Sequence, residues 1–173
     1  MVNENNYSCC IIGHRKIEDL KSIKNEIYKI IIELIENKNV TTFNFGYYGE
    51  FNDFCYKTLL NLKEKYPQIQ LVLYSLNNEI AYTFEEAEQY QIQNKRKNNI
   101  FQYKCFDKII YLYDIDETKF KYACVLRNKK LIDESDYCIF HYRHNYILPN
   151  SRNSGTKIAY EYACERNKKI LIS

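Results

Sequence analysis

The sequence of 173 residues predicts an α/β fold, a three-layer sandwich around a mostly parallel central sheet. Short apolar runs with the character of buried strands alternate along the chain with longer stretches of helical periodicity. The clearest helical stretch carries Ile and Leu at steps of three and four residues, from Ile17 to Ile35. Alternation of this kind is typical of parallel strands joined by crossover helices. We expect a single domain spanning residues 1–173.

The individual elements follow from these patterns. Apolar and β-branched runs predict six strands, at residues 7–12, 40–45, 70–74, 108–113, 137–142 and 169–172. Amphipathic stretches predict four main helices, at residues 17–35, 51–65, 119–134 and 154–167. Residues 75–106 are polar, and Thr83 has the type and position of a helix cap. We expect a surface helix with loops there, either a solvated connection or a lid.

Composition argues against several classes of protein. The 25 Lys and Arg residues against 22 Asp and Glu give a net charge of +3, too small to indicate a nucleic-acid or membrane-surface partner. The first six residues are polar and lack the apolar segment of a signal peptide. No apolar run approaches the roughly 18 residues that span a bilayer. We therefore expect a cytoplasmic protein with no membrane partner.

Cysteine and histidine spacing does not favour a metal site. The seven cysteines are odd in number and scattered, and they form no C-x-x-C pair. Free thiols that pack as small apolar residues in a reducing compartment are the expectation. His141 and His144 have an H-x-x-H spacing, but no third ligand lies nearby in the sequence. We expect no metal and no cofactor.

Glycine placement gives the strongest indication of a ligand site. The chain has four glycines, and all of them fall at predicted strand-to-helix junctions: Gly13, Gly46, Gly49 and Gly155. A parallel α/β sheet binds ligands outside the carboxyl ends of its strands, where glycine lets a ligand approach the backbone. Turns also need glycine for their own geometry, so a purely structural explanation stays open for each one.

Two of these junctions carry groups that suit an anion. Gly13, His14 and Arg15 follow the first predicted strand, and the planar fork of an arginine fits phosphate or carboxylate. Ser154, Gly155 and Thr156 open the last predicted helix, whose first amides point toward a ligand at that end. Either hydroxyl could instead serve as an ordinary helix cap.

A third basic segment lies within the predicted helix of residues 119–134. Arg127 and Asn128 are placed to reach the strand ends if their helix face packs toward the sheet. A solvated charged helix surface is the alternative.

These segments together resemble the SLOG superfamily, the Rossmann-like group that includes the DNA-processing protein DprA and the LOG (lonely guy) phosphoribohydrolases. The likeness is nearest to a bacterial branch of small single-domain members, and it covers nearly the whole chain. The matching segments are residues 10–15, residues 45–51, residues 122–123 with 127–129, residues 136–139, and residues 154–156 with 162–163.

The resemblance implies a Rossmann-like fold and a pocket for a nucleotide or a nucleotide-derived small molecule, held by a protein that acts as a sensor or carrier. The ligand-binding residues that we expect are Gly13, His14, Arg15, Gly46, Tyr47, Gly49, Arg127, Asn128, Ser154, Gly155 and Thr156. A homodimer is compatible with the resemblance.

Two other functions stay open. One is an N-glycosidase acting on nucleotides, with Glu50 as its catalytic carboxylate. The resemblance places the LOG catalytic glutamate at Ala159, however, and Glu161 lies two residues further along the helix. The resemblance also implies aspartate at position 52, where this chain has Asn52, and this difference argues against a catalytic role for the turn. The other function is DprA-like binding of single-stranded DNA, which the low net charge does not favour.

Overall fold

A computed structural model describes residues 6–46, 49–76, 106–112, 120–143 and 154–172. Within these ranges six strands form one sheet: β1 Tyr7–Gly13, β2 Val40–Phe45, β3 Gln70–Leu76, β4 Lys108–Leu112, β5 Tyr137–His141 and β6 Lys169–Ile172. The same ranges hold four helices: α1 Leu20–Asn37, α2 Glu50–Leu62, α3 Phe120–Asp133 and α4 Gly155–Glu165. Both bounds of β2 and β6 coincide with the predicted ones, and the other elements differ by a few residues at their ends.

The strand order is β4-β3-β2-β1-β5-β6, and all five neighbouring pairs are parallel. The carboxyl ends of the six strands therefore lie at one edge of the sheet, called the carboxyl edge below. From β1 the chain builds outward to β4, then returns to place β5 on the other side of β1. The topological switch point is thus the gap between β1 and β5, where open α/β sheets bind ligands. The predicted Rossmann-like α/β sandwich is confirmed.

Alternation along the strands divides the core into two layers. Cys9 and Ile11 of β1 face the layer of α1 and α2, whereas Cys10 and Ile12 face the layer of α3 and α4. All four side chains are almost completely buried. Because both faces of β1 are covered, its sequence is continuously apolar rather than alternating.

Helix α1 begins at Leu20, a few residues after the start that its periodicity predicts. Asp19 caps it, with Oδ1 accepting a hydrogen bond from the Ser22 amide at 3.2 Å. Ile17 lies in the preceding loop but still packs against the core, and this packing extends the apolar pattern beyond the helix.

Several predictions concern residues outside the described ranges. These are the helix cap at Thr83, residues 77–105 of the polar segment predicted at residues 75–106, and the side chains of Tyr47 and His144. Within the described ranges, no helix is both long and apolar enough to cross a membrane. The six cysteines described there are free thiols, and four of them are buried.

Candidate functional site

Gly13 allows the end of β1 to pack directly against α2. A Cβ atom at this position would lie 2.4 Å from Cδ1 and 2.7 Å from Cβ of Phe51. Phe51 is fully buried, so its ring occupies the space that a side chain at position 13 would need. Packing inside the protein is therefore enough to require glycine at position 13, without any approach by a ligand.

The loop after β2 lies against the loop after β1, backbone to backbone. Gly49 has a φ of +125°, and a Cβ there would lie 3.1 Å from Cα of Arg15 and 3.2 Å from the His14 carbonyl oxygen. The amide of Glu50 donates a hydrogen bond to the Arg15 carbonyl at 2.9 Å. Position 49 needs glycine both for its backbone angle and for this close approach. The side chain of Arg15 is exposed at the carboxyl edge.

The Glu50 carboxylate holds this pair of loops together. Its Oε2 accepts a hydrogen bond from the Ile17 amide at 2.8 Å. The bond satisfies a backbone donor just before α1 and fixes the path of the loop after β1. The contact gives Glu50 a positioning role, independent of the catalytic role that the sequence suggested.

Arg127 of α3 reaches the end of β2 from the other layer of the sandwich. Only 4% of the residue is exposed, although it is charged. A Cβ at Gly46 would lie 3.0 Å from Nε, 3.3 Å from Cζ and 3.4 Å from Nη2 of Arg127. The guanidinium group thus lies close to the backbone at the carboxyl end of β2. A buried cation is costly unless negative charge or strong acceptors surround it.

Asn52 approaches the same glycine from α2. Its Nδ2 donates a hydrogen bond to the Gly46 carbonyl at 3.2 Å, and the residue is 8% exposed. Its Oδ1 is buried and has no hydrogen-bond partner within the described part of the chain. We call Gly46, Asn52 and Arg127 the Gly46 cluster.

His14 joins β1 to β5 at the switch point. Its Nε2 accepts a hydrogen bond from the Arg143 amide at 3.2 Å, which requires an unprotonated Nε2. Burial, followed by the nearby charges of His141 and Arg143, lowers the pKa of His14 to about 4. The Arg143 guanidinium binds Glu18 at 2.5 Å. The His141 ring stacks on Phe51 with centroids 5.4 Å apart.

Ser154 caps α4, as one interpretation of the sequence expected. Its Oγ accepts a hydrogen bond from the Lys157 amide at 3.0 Å. A Cβ at Gly155 would meet no atom of the described residues within 4 Å. Thr156 is buried. Because α4 follows β5, this first turn lies toward the carboxyl edge.

Direct contacts therefore join the expected residues of this edge in two groups. His14 and Arg15 contact the Gly49–Glu50 turn, and Gly46 contacts Arg127. Helix α2 connects the groups, because its Phe51 packs against Gly13 and its Asn52 binds Gly46. Asn128 is half-buried and lies about 100° around α3 from Arg127, and no described contact joins it to Gly46. No described contact joins residues 154–156 to the Gly46 cluster. Tyr47 is outside the described residues.

The sequence interpretation assigned no site role to Phe51, Asn52 or His141. A signal for Asn52 was present, because positions 52, 55, 56, 59 and 62 form the buried stripe of α2. An amide in such a stripe is a polar group that needs a partner. Among the described residues, no three His, Cys, Asp or Glu side chains converge as a metal site.

Comparison with known proteins supports the fold alone. No family model and no curated protein matches the sequence. One similar solved structure is the X-ray structure of TM1055, a structural genomics target. The similarity covers 95% of this chain and 72% of that one, with a TM-score of 0.51 and 9% sequence identity. Agreement at this identity shows a common Rossmann-like architecture.

Proposed function

We propose that this chain is a member of the SLOG superfamily that binds a nucleotide or nucleotide-derived small molecule at the carboxyl edge, as a sensor or carrier. The observation that carries the proposal is the buried guanidinium of Arg127 against Gly46, beside the switch point. Arginine presents a planar fork of donors that fits phosphate in two-point contact. A cation in this position is suited to the phosphate of a ligand that enters at the strand ends.

Other features of the edge support the same proposal. Arg15 adds a second cation, exposed on the loop after β1. The first turn of α4, where no described atom lies within 4 Å of a Cβ at Gly155, presents backbone amides to an anion. The sequence resemblance to nucleotide-binding SLOG proteins points to the same strand ends.

The structure offers less support for hydrolysis of an N-glycosidic bond. Ala159, which stands where the LOG enzymes carry their catalytic glutamate, is 1% exposed and packs in the core under α4. Glu161 pairs instead with Lys157 along the helix, at 3.8 Å. The Glu50 carboxylate already binds the Ile17 amide. We therefore favour binding without turnover.

Thermal unfolding in the presence of a nucleotide panel tests the proposal. A ligand at about 100 times its Kd stabilises the folded state by about 2.7 kcal/mol. For a chain of this size that corresponds to a rise in Tm of roughly 5–10 °C. Arg127→Met should abolish the rise measured against the variant's own Tm, because the phosphate loses its cation.

Arg166→Met is the matched control, since Arg166 lies beyond the end of α4 and contacts Tyr162 and Asp133. It should retain the rise. A panel in which no nucleotide changes the Tm would refute the proposal, as would an unchanged rise in Arg127→Met. Release of free base during the incubation would instead identify an enzyme, and salt-sensitive retention of single-stranded DNA a DNA-binding protein.

A further inference from the structure

The buried amide of Asn52 has one hydrogen-bonded atom, Nδ2, and one atom, Oδ1, without a partner among the described residues. Its Nδ2 is committed to the Gly46 carbonyl, and this bond fixes the orientation of the amide. Oδ1 therefore points away from that carbonyl, buried and without a hydrogen-bond donor among the described residues. A buried acceptor in this condition destabilises the protein, and a ligand that brings a donor recovers that energy.

The position of this acceptor relative to Arg127 limits the ligand that could use it. Arg127 contacts Gly46 from the layer of α3, and Asn52 contacts the same residue from α2. The two side chains thus flank one residue at the carboxyl end of β2. A single small molecule can bring an anion to the guanidinium and a hydrogen-bond donor to the amide.

We propose that Asn52 is a specificity-determining residue, whose Oδ1 accepts a hydrogen bond from a sugar hydroxyl of a ribose phosphate group held by Arg127. The inference depends on the proposed function and names the part of the ligand that is recognised. A phosphate monoester at neutral pH offers almost only acceptors, so the donor must come from elsewhere in the ligand. In a nucleotide the donors nearest the phosphate are the ribose hydroxyls.

The choice of amide over carboxylate at position 52 is consistent with this role. A carboxylate at position 52 would place a negative charge beside Gly46, the residue that Arg127 contacts, and would compete with phosphate for the guanidinium. The neutral amide supplies an acceptor without adding a charge that competes with phosphate. Its second group, Nδ2, anchors the amide to the backbone, so the acceptor is already oriented before binding.

Calorimetric titration with matched sugars tests the inference. The probes are adenosine 5′-monophosphate, its 2′-deoxy and 3′-deoxy analogues, ribose 5-phosphate and 2-deoxyribose 5-phosphate. The wild-type protein should bind a ribose probe about ten- to a hundredfold more tightly than the deoxy analogue that lacks the hydroxyl donating to Oδ1. Asn52→Ala should reduce that ratio to about one, because the discriminating atom is gone.

The ratio separates recognition from a merely structural role. If Asn52 only positioned the backbone through its bond to Gly46, Asn52→Ala would weaken binding of both sugars equally and leave their ratio unchanged. Asn44→Ala is the matched control, since Asn44 is a buried asparagine of β2 that binds Ser135 at 2.9 Å. It should retain the wild-type ratio.

Asn52→Asp provides a second variant if the alanine form does not fold. It keeps an oxygen acceptor and adds a charge, so it should retain a preference for the hydroxylated sugar while its affinity for every phosphate probe falls at least tenfold. The inference is overturned if the wild type does not discriminate between the sugars, if Asn52→Ala keeps the ratio, or if Asn52→Asp binds phosphate as tightly as the wild type. In those cases nucleotide binding itself still upholds the proposed function, whereas no binding of any probe refutes both.

Discussion

Replacing Gly13 with alanine should destabilise this protein strongly, and the structure gives the size of the effect. The new Cβ would lie 2.4 Å, 2.5 Å and 2.7 Å from three carbon atoms of Phe51, where ordinary carbon contacts are about 3.5–4.0 Å. One of the three is Cβ of Phe51, which a change of rotamer does not move. Relief therefore needs a shift of α2 by about 1 Å, at a cost of about 3 kcal/mol, the upper end for overpacking.

Thermal unfolding measures this effect. A loss of about 3 kcal/mol lowers the Tm of a domain of this size by roughly 6–12 °C. Gly155→Ala is the matched substitution, because its Cβ would meet no atom of the described residues within 4 Å and alanine favours a helix. Its Tm should stay the same or rise by a few degrees. A Gly13→Ala protein with the Tm of the wild type would refute the packing argument.

Two further predictions concern the loops at the carboxyl edge. His14 has a pKa of about 4 in the folded protein, against an ordinary value of 6.5, so the unfolded chain takes up the proton first as the pH falls. The folded state should therefore lose roughly 1–3 kcal/mol of stability between pH 6.5 and pH 4. Urea unfolding of His14→Gln, which keeps an acceptor for Arg143, should show a flatter pH dependence; an equal slope would contradict the assignment. Glu50→Ala should lower the unfolding free energy by about 1–2 kcal/mol, because the Ile17 amide loses its acceptor. Glu50→Gln should retain most of it, and equal losses in the two variants would disprove this role.

The fold could be predicted because its signals are local and repeated. The continuous apolar run of β1 follows from burial of the strand on both faces. The periodicity of α1 follows from burial of the helix on one face. The start of α1 could not be predicted in the same way. It depends on the Asp19 cap and on the bond from Ile17 to Glu50, which joins residues 33 positions apart. Periodicity carries no information about such distant partners.

The candidate site was predictable only in part, for a related reason. Glycine scarcity indicated Gly13, Gly46 and Gly49, and the structure shows that each lies against a specific neighbour. The sequence does not show that Gly13 lies against Phe51 and Gly46 against Arg127, because these two neighbours belong to helices in opposite layers of the sandwich. Asn52 was considered only as a departure from a family pattern, whereas its importance comes from the orientation of its buried amide.

A crystal structure of the protein with a bound nucleotide tests the central claim most directly. We expect phosphate density within hydrogen-bond distance, about 3 Å, of the Arg127 guanidinium at the carboxyl end of β2. Nucleotide bound elsewhere on the molecule, with Arg127 still packed on Gly46 and out of reach of the phosphate, would contradict it.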